Sequence, residues 1–173
     1  MNSEDIKNRF GSYHVEVLQQ NQVHRVASLY SEHGEAKVCR TLAVTYFWQP
    51  TPESVVPADQ LIRQGQSIGS TLLAAGLLLE RELLLEAATT SGTGFERLSA
   101  GTVKPGTALL IRLYRLNTGI DQSAMNPYAT IAEAHHPEHL SPDPTLKDLA
   151  TLNSQERGDA ATAALASLLA NLQ

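Results

Sequence analysis

Three charged residues lie inside runs that otherwise read as apolar β-strand. Arg25 sits in Val23-His24-Arg25-Val26, Arg40 in Val38-Cys39-Arg40-Thr41-Leu42, and Glu133 in Thr130-Ile131-Ala132-Glu133-Ala134. A buried arginine needs a carboxylate partner or an anionic ligand, because an unpaired charge out of water is costly. Two guanidinium groups can each fork onto one carboxylate of a dicarboxylate. A glutamate facing them can handle a proton or a hydroxyl. The same three residues can instead point to solvent or pair among themselves, so convergence in space is the expectation to test.

Other chemistry finds less support. Glu133-Ala134-His135-His136-Pro137-Glu138-His139 invites a metal reading, but Pro137 breaks any helix through His135 and His139, and no paired-cysteine or H-E-x-x-H pattern occurs. No metal and no cofactor are expected. Gly92-Thr93-Gly94 and Gly101 do not form a phosphate loop, and Ser12 lacks the spacing of a nucleophile elbow. Cys39, the single cysteine, sits in an apolar run with no base beside it, and it excludes an intrachain disulfide.

These residues need strands to carry them. Val15 to Leu18 and Val23 to Tyr30 read as a hairpin turning at Asn21-Gln22. After a turn at Glu32-His33-Gly34-Glu35, Ala36 to Trp48 is β-branched and aromatic, the strongest strand signal in the chain. Pro57 to Gln64 reads as a short helix closed by Gly65. Ser67 is placed to cap a second helix from Ile68, closed by Gly76.

Leu77 to Ala88 alternates with period two. Leu77, Leu79, Leu83 and Leu85 share a face with one arginine, Arg81, although leucine and glutamate also suit a helix. Thr89 to Gly106 is rich in Gly, Ser and Thr and reads as a loop with a short hairpin near Phe95. Thr107 to Leu116 and Pro127 to His135 read as strands around a turn at Asn117 to Asn126. Asp143-Pro144 predicts a short helix start, Asn153 with Glu156 a capping box, and Ala161, Leu165, Leu168, Leu169 and Leu172 a helical stripe.

Strands mostly follow strands. This predicts an α+β fold: an antiparallel sheet, helices packed on one face, and an internal ligand pocket. The chain has 173 residues, enough for one core. Its net charge of -5 argues against a nucleic-acid surface. The acidic, polar start is unlike a signal peptide, and no apolar run is long enough for a membrane span. A cytoplasmic protein is expected.

With these residues in hand, the chain resembles chorismate lyase and its superfamily, whose fold also serves as a small-molecule sensor domain in bacterial transcription regulators. Arg25 to Ala36 resembles the family's strand-turn-strand opened by an arginine. Arg40-Thr41-Leu42-Ala43-Val44 resembles the start of its next segment. Ser67 to Leu73 resembles its leucine-glycine helix start, and Arg112 to Leu116 followed by Ile131-Ala132-Glu133 its closing hairpin.

The resemblance implies a lyase that eliminates pyruvate from chorismate to give a hydroxybenzoate, in ubiquinone or other aromatic-metabolite biosynthesis. It implies that Arg25 binds the ring carboxylate with help from the backbone at Ile68 and Gly69. Arg40 would hold the enolpyruvyl carboxylate, and Glu133 would reach the oxygen that becomes the phenol. A non-catalytic binder or sensor of a small aromatic or dicarboxylate metabolite is the alternative, and a partner-binding protein with internally paired charges is a third. On this reading residues 1–140 form the lyase-like domain and 141–173 a helical extension packed on it. The family carries a longer region before its first arginine, part of which covers the ligand, and the C-terminal helices are the expected replacement.

Overall fold

The computed structural model describes residues 2–152 and 158–173. Helix α1 (Asn2–Phe10) leads into strands β1 (His14–Gln20), β2 (His24–His33) and β3 (Ala36–Phe47). Helices α2 (Val56–Arg63) and α3 (Ile68–Ala74) follow. The chain continues through β4 (Leu78–Thr90), α4 (Thr93–Leu98), β5 (Ala108–Gly119), β6 (Asn126–His135) and α5 (Asp159–Leu172). The strands form one six-stranded sheet in the order β1-β2-β3-β6-β5-β4. Every neighbouring pair is antiparallel. The fold is α+β, as the strand pattern predicts.

The helices divide between the two faces of the sheet, whereas the sequence suggested one. The reason lies in β3 and β6. Most residues of both strands are buried, in unbroken runs of eight, so side chains of both parities face away from water. A sheet with two apolar faces needs a cover on each. On one face Val26, Leu42, Val44, Leu113 and Ala132 pack with Ala161, Ala164, Leu165, Leu168 and Leu172 of α5. On the other, Ala43, Phe47, Tyr114, Leu116 and Ile131 meet Ala58 and Ile62 of α2 and Leu72 of α3.

Three segments differ locally from the sequence reading. Phe95 lies on α4 and is fully buried; no hairpin forms there. Gly92 and Gly94 donate backbone N–H bonds to the carbonyls of Leu172 and Gln173. A Cβ on Gly94 would lie 2.4 Å from the Asn171 carbonyl oxygen, which explains glycine at that position. Asp143 starts no helix. Its carboxylate accepts from the Thr145 N–H and hydroxyl, and the helical turn comes later, at Leu149–Thr151 under an Asp148 cap. The proposed Asn153 and Glu156 capping box lies outside the described residues.

Strand β4 alternates as read up to Leu83. A bulge between Leu83 and Leu85 then shifts the register, so Leu85 pairs with Leu113 and joins the face under α5. The single leucine face is therefore split between the two sides of the sheet.

Candidate functional site

A small cavity of about 60 Å³ opens between the sheet and helices α1 and α3. A single water needs roughly 10–15 Å³, so the space exceeds a solvent site. Ala27, Leu29, Ala43, Leu116 and Ile131 form apolar walls. Arg25, Arg81 and Glu133 supply charge, and Tyr13, Thr45 and Tyr114 supply hydroxyls. Among the described residues none from α5 lines it, so the C-terminal helix is not the cover that the sequence suggested.

The sheet register explains which residues meet. Arg25 on β2 pairs with Thr45 on β3, and Thr45 pairs with Ile131 on β6. Glu133 lies two residues beyond Ile131, opposite Ala43. Arg25, Ala27, Thr45, Ala43, Ile131 and Glu133 thus share one face. Strand spacing sets the Arg25 and Glu133 backbones on the order of 12 Å apart, with both side chains reaching into the space between.

Arg25 is 2% exposed. One terminal nitrogen donates to the backbone carbonyls of Ile62 and Gln66, at 3.2 and 2.9 Å. These carbonyls end α2 and begin the turn to α3, so the helix pair aims the guanidinium. Its Nε is buried and has no acceptor among the described residues. No carboxylate among the described residues pairs with it. Burial lowers its pKa, with Arg63 adding to the shift and Tyr13 and Tyr128 opposing it. Arginine nevertheless keeps its proton, because its ordinary value is so high. The result is a buried cation whose counter-charge the described residues do not supply.

Glu133 is 5% exposed and accepts two kinds of donor. The Tyr114 hydroxyl donates to Oε1 at 2.8 Å, and the Asn2 side-chain amide lies 3.0 Å from both oxygens. Burial pushes its pKa up; the Arg81 charge, these hydrogen bonds and Arg112 hold it back. His135 Nε2 approaches Glu133 Oε2 at 3.4 Å, but burial first, then the charges of His139, Arg112 and Arg81, keep that ring neutral near pH 7. We therefore read the contact as a neutral imidazole beside a carboxyl, not an ion pair. Burial and then Glu133 also raise the Tyr114 pKa, so Tyr114 acts as a donor.

Arg40 does not line the cavity. The β2–β3 register slips between Leu29 and Tyr30, leaving Arg40 as the extra residue of a bulge. Its guanidinium stacks 3.7 Å from the Phe10 ring centroid on α1. Nε donates to Ser31 and a terminal nitrogen meets Glu138 at 2.9 Å. Arg40 therefore has an internal carboxylate partner. Ile68 and Gly69 do line the cavity, at the start of α3. Ser67 occupies the N-cap position without a side-chain cap bond; its hydroxyl lies 3.2 Å from the Tyr13 hydroxyl instead.

Two contributors were missed in the sequence. Helix α1 covers the cavity, with Asn2 and Ser3 among its lining and Ile6 fully buried. Glu4 and Asp5 in its first turn and Lys7 and Arg9 in its last suit the helix dipole, and this was the available signal. Arg81 also lines the cavity, and its signal was a lone charge on the leucine face of β4. Cys39 is fully buried with its thiol pushed up to about 12 by burial, which removes a nucleophilic role at neutral pH. No group of three or more metal-ligating side chains occurs among the described residues, and no helix among them is long and apolar enough to cross a membrane.

Comparison with protein-family models gives no match, and comparison with curated proteins gives none. Among solved structures, the chain is similar to the C-terminal domain of Yurk from Bacillus subtilis subsp. subtilis str. 168. That likeness has 15% identity and a TM-score of 0.40, covering 72% of this chain and 86% of that one. It is also similar to a candidate regulator from Escherichia coli CFT073, at 10% identity and a TM-score of 0.41, covering 70% of this chain and 94% of that one.

Proposed function

We propose that this protein binds a small molecule with a compact apolar body and a carboxylate, and that Arg25 holds the carboxylate inside the cavity. The observation that supports this most is the Arg25 side chain itself, buried, with an unsatisfied Nε and no acidic partner among the described residues. An uncompensated buried charge costs several kcal/mol, and a ligand carboxylate supplies the missing partner. The apolar walls accept a ring or an alkyl body. Titration of the purified protein with benzoate and 4-hydroxybenzoate by calorimetry tests this. Saturable binding of either is expected; binding of neither, at any attainable concentration, contradicts the proposal.

Glu133 favours a second, catalytic reading of the same cavity. With a ring carboxylate on Arg25, the far end of the ring meets Glu133 and the Tyr114 hydroxyl. That arrangement suits chorismate. The ring loses a proton from its hydroxyl-bearing carbon, the neighbouring C–O bond breaks, and the enolpyruvyl group leaves with that oxygen and becomes pyruvate. The ring becomes aromatic and keeps its hydroxyl, beside the acid. Aromatisation provides the driving force, so orientation and charge stabilisation by Arg25 and Glu133 are the protein's contribution. Incubation with chorismate, followed by a coupled pyruvate assay, separates the two readings. Pyruvate release that Glu133→Ala abolishes supports the lyase. Absence of pyruvate with retained 4-hydroxybenzoate binding leaves the binder.

A further inference from the structure

Glu133 and His135 are alternate residues of β6, so their side chains share one face of the sheet. His135 stands just beyond the cavity lining and is 0% exposed. The ladder sets Thr41 of β3 directly opposite it, and the Thr41 hydroxyl lies 3.0 Å from His135 Nδ1. At the other corner of the ring, Nε2 is buried and completes no hydrogen bond among the described residues. Glu133 Oε2 lies 3.4 Å from it.

The hydrogen-bonding needs of Thr41 decide which ring nitrogen carries the proton. Thr41 is fully buried, and among the described residues its hydroxyl meets only Nδ1. A hydroxyl has one proton to give, and a neutral imidazole has one bare nitrogen to receive it. With Nδ1 protonated, the Thr41 proton would be left without an acceptor in a dry site, which is costly. With Thr41 donating to Nδ1, the imidazole proton sits on Nε2 and faces Glu133 Oε2. At 3.4 Å the approach is longer than an ordinary N–H···O bond, and a shift of a few tenths of an ångström closes it.

The other polar neighbours of Glu133 are donors too. The Tyr114 hydroxyl of β5 donates to Oε1, and the Asn2 amide of α1 donates to both oxygens. The Asn2 carbonyl oxygen lies 3.4 Å from Nε2 of His139, in the loop after β6, which turns the amide N–H groups toward Glu133. Arg81 of β4 and Arg112 of β5 favour the ionised acid through their charge, against its burial. Tyr13, ahead of β1, also lies within electrostatic reach of Glu133. The charges of His139, Arg112 and Arg81 add to burial in keeping His135 neutral.

We propose that His135 is a positioning residue for Glu133: Thr41 fixes it as the Nε2–H tautomer, and that N–H points at Oε2 and holds the carboxyl in its ionised form. An ionised Glu133 can take up a proton from a bound molecule, and a protonated one cannot. The contact acts on Glu133 with or without a ligand; its use by a ligand rests on the cavity reading above.

Nitrogen NMR of the wild-type protein with labelled histidine, His135 being assigned through its backbone, reads the tautomer directly. A protonated Nε2 with a bare Nδ1 is expected, and a protonated Nδ1 overturns the proposal. Carbon NMR of the Glu133 carboxyl, assigned by its loss in Glu133→Gln, reads the titration of the acid. His135→Leu removes the donor and is expected to raise the midpoint by about one pH unit, the equivalent of one hydrogen bond to a charge, because the donor stabilises only the ionised form. His135→Gln carries an N–H at nearly the same place and is expected to keep the midpoint near that of wild type. A histidine that only fills space would change stability and leave the midpoint unmoved, so an unmoved midpoint in His135→Leu overturns the proposal. If neither variant folds, the wild-type tautomer decides. Neither measurement needs a ligand, so a failure of benzoate to bind counts against the cavity reading alone.

Discussion

Beneath α5 the sheet presents Val26, Leu42, Val44, Leu113 and Ala132, all buried and apolar, closed by Leu165, Leu168 and Leu172. One residue along each of those strands, the opposite face carries Arg25, Thr45, Ala43, Tyr114 and Glu133 around a cavity. The strands are the same and their backbone pairing is shared, so the contrast lies wholly in side chains of alternate parity. One parity is spent on packing density, where voids are destabilising. The other keeps a void and two desolvated charges, which stability alone does not favour. The ligand proposed for this cavity would give such a face a purpose.

Substitutions on the two faces should therefore behave in opposite ways. Leu168→Ala, in the packed face, is expected to lower stability by about 2–5 kcal/mol and leave benzoate affinity unchanged. Chemical denaturation and calorimetry on the same samples check both halves. Arg25→Met, in the cavity face, is expected to lower benzoate affinity by about 2–4 kcal/mol. Its stability should be unchanged or higher, because an uncompensated buried charge gives way to an apolar chain. If Arg25→Met unfolds the protein while Leu168→Ala does not, the contrast is wrong.

Arg40 sharpens the comparison, since it is a buried arginine that does have a partner. Arg40→Ala breaks the Ser31 and Glu138 contacts and the Phe10 stack, and is expected to lower stability by about 1–3 kcal/mol. Benzoate affinity should hardly change, as Arg40 lies outside the cavity lining. The two buried arginines then separate cleanly, one felt in stability and the other in binding.

The smallest expected effect is a pH dependence. Burial raises the Glu133 pKa above its ordinary 4.5, so the folded state holds this proton more tightly than the unfolded state. Below 4.5 both states are protonated and the group contributes nothing. As pH rises from there through the raised folded value, stability is lost, and the loss persists above it. Glu133→Gln cannot ionise, so wild type should lose ground to the variant between acidic and neutral pH. Thermal melts of both proteins across that range check the sign. A difference that does not vary with pH contradicts the assigned burial of the charge.

Much of this architecture was legible in the sequence where the signal is local and long. Strands β2, β3 and β6 read clearly because β-branched runs bounded by turns specify them. The placement of α2 and α3 followed from Pro57, Ser67, Gly65 and Gly76. Helix α4 was not legible. Its six residues are set by contact of Gly92 and Gly94 with the end of α5, which is a tertiary cause. Helix α1 escaped because its only fully buried residue is Ile6, too little to make a stripe. The β-bulges at Arg40 and Leu84 are also invisible to a period-two reading, and each redirects side chains that the alternation had assigned. Within the site, Arg25 and Glu133 share the cavity with Ile68 and Gly69, while the bulge took Arg40 out and the leucine face of β4 brought Arg81 in.

A crystal structure of the protein grown with benzoate tests the central claim most directly. A carboxylate oxygen is expected within about 2.7–3.2 Å of Arg25 Nε, with the ring lying between Leu29 and Ile131. Benzoate seated elsewhere on the surface, with Arg25 Nε still lacking an acceptor, would contradict it.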